Sequence, residues 1–217
     1  SGHNRDQFER IRARIDGQPG IHHRITHSPA DIAPALRELA ALDIGVLAIN
    51  GGDGTVSAIL GQLLESGLFP RPPLIALLPG GTANMNAGDI GVRGSLPRAV
   101  TRFCQWSEGE RDTTGRVQRR ALMRVLADSE PTPRYCMFLG GGAVIHGTEY
   151  AHQEIHSRGL RDDFSLALGT LRTVWGVVRN DPAFNRHVEI TLTLDDGEPT
   201  RYDTLILAVS TLQRLSF

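Results

Sequence analysis

Two short apolar runs, each closed by a glycine-rich turn, constrain the fold of this chain more than any other feature. Ile44-Gly45-Val46-Leu47-Ala48-Ile49 runs into Asn50-Gly51-Gly52-Asp53-Gly54-Thr55, and Leu74-Ile75-Ala76-Leu77-Leu78 runs into Pro79-Gly80-Gly81-Thr82-Ala83-Asn84. Half-solvated strands alternate apolar and polar residues, so unbroken runs of this length suit parallel strands covered on both faces. Between the two lie Val56, Ile59, Leu60, Leu63 and Leu64 at helical spacing, with Gly67 placed to end that helix. Ligands of open parallel sheets bind at the carboxyl ends of the strands, where neighbouring turns can converge on one molecule.

The first turn has three glycines in four residues, Gly51, Gly52 and Gly54. Glycine lets the backbone approach a ligand closely, and the following helix start offers unpaired N–H groups at a positive dipole end. Phosphate suits such a turn. Asp53 would repel it, unless a divalent cation or a substrate hydroxyl shares the site and uses its charge. The plainer reading of Asp53 is a helix cap. In a glycine turn its carboxylate is expected to have few packing duties.

On the amino side, Phe8, Ile11 and Ile15 mark an amphipathic helix over Asn4 to Ile15, and Ile21 to Thr26 is a strand candidate. Ser28-Pro29-Ala30-Asp31 combines a cap, a first-turn proline and an acid, and opens a helix to about Leu42 with Leu36, Leu39 and Leu42 inward. Ser95 to Trp106 forms another. Beyond Glu108 to Gly115 the pattern changes to hairpins: Ala121 to Leu126 with Tyr135 to Leu139, then Val188 to Leu194 with Tyr202 to Val209. The expected fold is α/β: a parallel-sheet, three-layer domain over residues 1–112, then a β-rich, sandwich-like domain over 113–217 with a helical stretch from Val144 to Val178.

Composition bounds the function. A chain of 217 residues with 40% hydrophobic content and a net charge of −1 can bury a real core and gives no electrostatic footprint for nucleic acid. Cys104 and Cys136 lack metal-site spacing and read as thiols in a reducing cytoplasm. No apolar run approaches 18 residues and no basic-then-apolar leader occurs, so neither a spanning helix nor a signal peptide is expected. His152 and His156 stand one helical turn apart, but Gln153 occupies the position where a zinc-protease pattern needs Glu, so these histidines and His146 are not read as metal ligands.

Gly51-Gly52-Asp53-Gly54-Thr55 and Pro79-Gly80-Gly81-Thr82-Ala83-Asn84 together resemble the two nucleotide loops of the diacylglycerol kinase catalytic domain family, which also includes sphingosine and ceramide kinases. Ser1-Gly2 resembles the end of that family's first turn, and Phe138 to His146 its glycine-containing β segment. The resemblance implies an ATP-dependent lipid kinase in which a lipid hydroxyl attacks the γ-phosphate with Mg²⁺ present. It implies ATP contacts from Gly51, Gly52, Gly54, Thr55, Gly81, Thr82 and Asn84, with Thr26 a further contact at the end of the second strand. Asp53 would be the catalytic carboxylate and the Mg²⁺ ligand. The substrate would be a lipid met at the inner membrane surface by a cytoplasmic, peripheral protein with no nucleic-acid partner.

Against the family pattern the chain starts after the first strand and stops before the closing β segments. It is therefore read as a truncated member with an incomplete second domain, little kinase activity alone and a tendency to form homo-oligomers through an open sheet edge. Ser57 and Ala58 stand where the family often has Asn-Glu, and Met85 where it often has Asp. Two other functions fit the same loops: an NAD kinase-like enzyme, which shares the first motif, and a non-catalytic nucleotide- or lipid-binding module.

Overall fold

The computed structural model describes residues 2–81, 83–109, 117–128, 130–142 and 187–213. Thr82 and the stretch Val144 to Val178 with its three histidines lie outside them. Contacts gather the chain into two units, Ser1–Cys136 with Leu212–Ser216, and Met137–Thr211 with Phe217.

In the first unit, helix α1 covers Gly2–Asp16. A short 3-10 turn over Pro29–Asp31 leads into α2, Ile32–Ala40. The Asp31 carboxylate accepts the His27 and Ser28 backbone N–H groups, both at 2.8 Å, which closes this helix start as the local sequence predicts. Strand β1, Val46–Gly51, is followed by α3, Asp53–Ser66, which Gly67 ends in the left-handed conformation at φ 61°. Strand β2 covers Leu74–Pro79, α4 Met85–Asp89 and α5 Leu96–Ser107. Hairpin strands β3 (Met123–Val125) and β4 (Arg134–Cys136) complete the unit and pair antiparallel.

Strands β1 and β2 are parallel neighbours in register from Val46 opposite Leu74 to Gly51 opposite Pro79, so both end at the same level. Their alternate residues serve two cores. Leu47, Ile49 and Leu77 join Leu36 and Leu39 of α2 with Val56 and Leu60 of α3, whereas Leu78 joins Ile11 of α1 with Ala99, Val100 and Cys104 of α5. Helices thus cover both faces of the pair, which is why both runs are apolar throughout. Leu42 and Leu64, expected inside, are 45% and 46% exposed: Leu42 lies in the turn after α2 ends at Ala40, and Leu64 stands beside the buried Leu60 and Leu63 of α3.

Ile21 to Thr26 departs from expectation: the segment forms no strand. It and β1 line one cavity of about 800 Å³ rather than pairing with each other, and the segment joins no strand ladder among the described residues. Thr26 therefore does not end a strand.

The described residues of the second unit form four short strands: β5 (Phe138–Gly142), β6 (Val188–Leu192), β7 (Thr200–Thr204) and β8 (Ile206–Ser210). The pairs are antiparallel, β6 with β7 and β5 with β8. The expected single arm from Tyr202 to Val209 is broken at Leu205, and its halves pair with different partners. The Thr204 hydroxyl donates to the Ile206 carbonyl at 2.8 Å across that break.

Candidate functional site

Because β1 and β2 end level, the two glycine turns leave from the same edge of the sheet. Gly52 is the N-cap of α3 with extended backbone, and its carbonyl accepts the Val56 N–H at 3.0 Å. Thr55 turns back over Gly51, where an added Cβ would lie 2.7 Å from the threonine side chain. In the second turn, an added Cβ on Gly80 would lie 2.8 Å from the Gly51 nitrogen, and one on Gly81 would fall on the Gly52 Cα. Neither residue takes a positive φ. They are glycines for space, because the two turns touch through their backbones.

Asp53 joins the turns further. Its Oδ2 accepts the Met85 N–H at 3.1 Å and its Oδ1 accepts the Asn86 N–H at 2.9 Å, so the carboxylate of the first turn caps the helix that follows the second. The expectation that this side chain has few packing duties is overturned. The signal lay in α4 rather than in the turn: a helix of five residues leaves its first N–H groups without partners of its own, and Asp53 supplies them.

Asn84 shapes the second turn from within. It sits in the left-handed region at φ 49° and ψ 37°, which Asn tolerates better than most residues, and its amide closes the loop on Gly81. Oδ1 accepts the Gly81 N–H at 2.8 Å and Nδ2 donates to the Gly81 carbonyl at 2.7 Å.

Of the residues read as a site, Gly51 and Gly52 thus form the turn into α3, whose first residues are Asp53, Gly54 and Thr55; Gly81 meets that turn at Gly52, and Asn84 is bonded to Gly81. Thr26 lies in the irregular segment after α1. Gly54 differs from Gly51, Gly52, Gly80 and Gly81 in having no heavy atom within 4 Å of an added Cβ, so it faces open space at the start of α3. That opening and the adjacent backbone fit a phosphate chain. Among the described residues no group of three or more His, Cys, Asp and Glu gathers to cage a metal. Mg²⁺ needs only one or two protein carboxylates when phosphate and water complete its shell, so the donor set fits a cation arriving with a nucleotide.

Two sets of contacts that sequence reading missed brace this region. The Ser57 hydroxyl, one turn into α3, donates to the Tyr135 carbonyl of β4 at 2.6 Å, and the Tyr135 hydroxyl in turn bonds Glu65 near the end of α3. That bond to Glu65 raises the Tyr135 pKa. The Asp89 side chain, at the end of α4, is fully shielded from solvent and is paired with Arg120.

A parallel strand pair with two glycine turns meeting at its carboxyl edge defines an α/β protein with a candidate ligand site at that edge. The family model of the diacylglycerol kinase catalytic domain matches residues 1–114, and the chain belongs to that family. A protein named probable lipid kinase YegS-like from Enterobacter sp. strain 638 is 36% identical over 80 residues, which is 37% of this chain and 26% of that protein. Proteins named probable lipid kinase YegS from Escherichia coli O6:K15:H31 and Shigella flexneri are 34% and 32% identical over the same lengths. The match thus spans about a quarter of these curated relatives.

Proposed function

We propose that the chain is a kinase of the diacylglycerol kinase type, transferring the γ-phosphate of ATP to a lipid hydroxyl. The observation that carries this reading is the contact between the two glycine turns, with Asp53 of one holding the helix behind the other. Family membership and the relatives' names support it.

In this reading Gly51, Gly52, Gly54 and Gly81 bring backbone up to the nucleotide phosphates, and Thr55 and Thr82 donate hydroxyl hydrogen bonds to them. Asn84 keeps the second turn in its binding shape. Asp53 has about four acceptor positions and uses two on α4, which leaves two for the metal or for the hydroxyl proton of the acceptor. Mg²⁺ bound with the nucleotide would neutralise charge developing on the transferred group. Phosphoryl transfer asks mainly for positioning, which a braced pair of turns provides. Residues 1–112 would act as a three-layer nucleotide-binding domain. The β-rich residues 113–217, sandwich-like in plan, would serve the lipid side, and no described helix is long and apolar enough to cross a membrane.

A second reading has a specific observation in its favour. Both Asp53 oxygens are already engaged, as they would be in a non-catalytic nucleotide-binding module. Labelled ATP offered with a diacylglycerol and sphingoid lipid panel, with NAD, and with no acceptor separates the readings. Label entering lipid supports the proposal. Label entering NAD instead assigns an NAD kinase-like enzyme, and ATP binding without transfer assigns the module.

A further inference from the structure

Asp89 is the one buried charged residue among the described residues, 2% exposed overall and 0% in its side chain. Its Oδ2 accepts the Arg120 Nε–H at 2.6 Å, its Oδ1 accepts the Gln213 backbone N–H at 2.7 Å, and its own carbonyl lies 3.4 Å from an Arg120 Nη donor. Burying a carboxylate is costly. A pair of this kind commonly stabilises a fold no better than apolar residues of the same volume, so its use here calls for a different reason.

The reason lies in what Asp89 terminates. Helix α4 begins at Met85, directly after the second glycine turn, and its first N–H groups are held by Asp53. Its other end is held by Asp89. Such a short helix has almost no stability of its own, so its position follows from what grips its two ends. Apolar packing of Ala87 would tolerate sliding and rotation, whereas the Arg120 and Gln213 bonds fix direction as well as distance.

We propose that the Asp89–Arg120 pair is a positioning device for nucleotide binding: by fixing α4, it sets where Asp53 and the turn from Gly81 to Asn84 stand around the phosphates. Neither residue is placed in contact with the nucleotide. The proposal rests on the nucleotide-binding reading of the two turns, and extends it to residues outside both motifs.

The test separates positioning from stability in the 217-residue chain. Asp89→Leu with Arg120→Met replaces the pair by apolar groups and is expected to melt at or near the parent temperature. Its Kd for Mg·ATP by calorimetry is expected to rise about tenfold, since coupling through such networks is of that order. Asp89→Asn, which keeps the shape and an acceptor for Gln213, serves as a second variant should the apolar pair fail to fold, and is expected to weaken Mg·ATP in the same sense. A folded variant of either kind that binds Mg·ATP as tightly as the parent overturns the proposal. A parent chain that binds no Mg·ATP overturns the nucleotide reading and this inference together, whereas parent binding without lipid phosphorylation removes only the kinase step.

Discussion

At the scale of single residues, the glycines of the two turns have different reasons to be glycine, and substitution should separate them. Gly81 is pressed against the Gly52 backbone, which has no flexible side chain to yield. Gly81→Ala is expected to cost about 1–3 kcal/mol as an overpacked site and to lower the melting temperature. Gly54 is a helical residue facing open space. Gly54→Ala is expected to gain up to about 1 kcal/mol of helix propensity, yet to weaken Mg·ATP binding where a methyl group enters the phosphate space. Thermal melts and nucleotide titrations of both variants check this, and unchanged affinity in Gly54→Ala would remove that residue from the site. Asp53→Ala strands two N–H groups of α4, so it is expected to cost about 1–3 kcal/mol as well as phosphoryl transfer. Asp53→Asn keeps one acceptor oxygen and should recover part of the stability without the transfer.

Elements in this chain start and stop through local chemistry that titrates. The His27 and Ser28 N–H groups, with a smaller effect from nearby His27 charge, hold the Asp31 pKa below its ordinary value. The depressed folded value means that Asp31 adds stability above its unfolded pKa, and that this contribution is lost as pH falls through the folded one. Melting temperatures followed downward from pH 5 should therefore drop less in Asp31→Asn than in the parent, and parallel curves would show the cap to be inert. Helix α5 carries the opposite case. Burial of Cys104 pushes its thiol pKa up, so the native state favours the neutral form and loses that advantage only as pH rises past the ordinary thiol range. The native chain is expected to resist alkylation at Cys104 at pH 8, with modification appearing when denaturant opens the α5 core. Mass spectrometry of the labelled peptide reads the result.

For the molecule as a whole, the proposed nucleotide site at the two turns of the first unit predicts linkage between ligand and stability. Mg·ATP at a hundredfold excess over its Kd should add about 2.7 kcal/mol to unfolding, while NAD at the same concentration adds nothing. A larger shift with NAD than with ATP would favour the NAD kinase-like reading.

Local sequence was enough to determine the strands β1 and β2, the glycine turns at their carboxyl ends and the punctuation of helices at Asp31, Gly67 and Ser95. Each of these depends on neighbours within a few residues, and burial on both faces leaves an unbroken apolar run to read. What the tertiary structure decided involves partners far apart in the chain. Helix α4 is too short to carry a periodic signal, and it is held by Asp53 from 32 residues away, by Arg120 from 31 and by Gln213 from 124. Ile21 to Thr26 has the residues of a strand but pairs with no described strand, and the run from Tyr202 to Val209 is cut at Leu205 because its halves find separate partners. Asp53 shows the division most clearly. Its chemical character is legible in the glycine turn, but its two bonds to α4 exist only because two parallel strands end at the same level and bring their turns together.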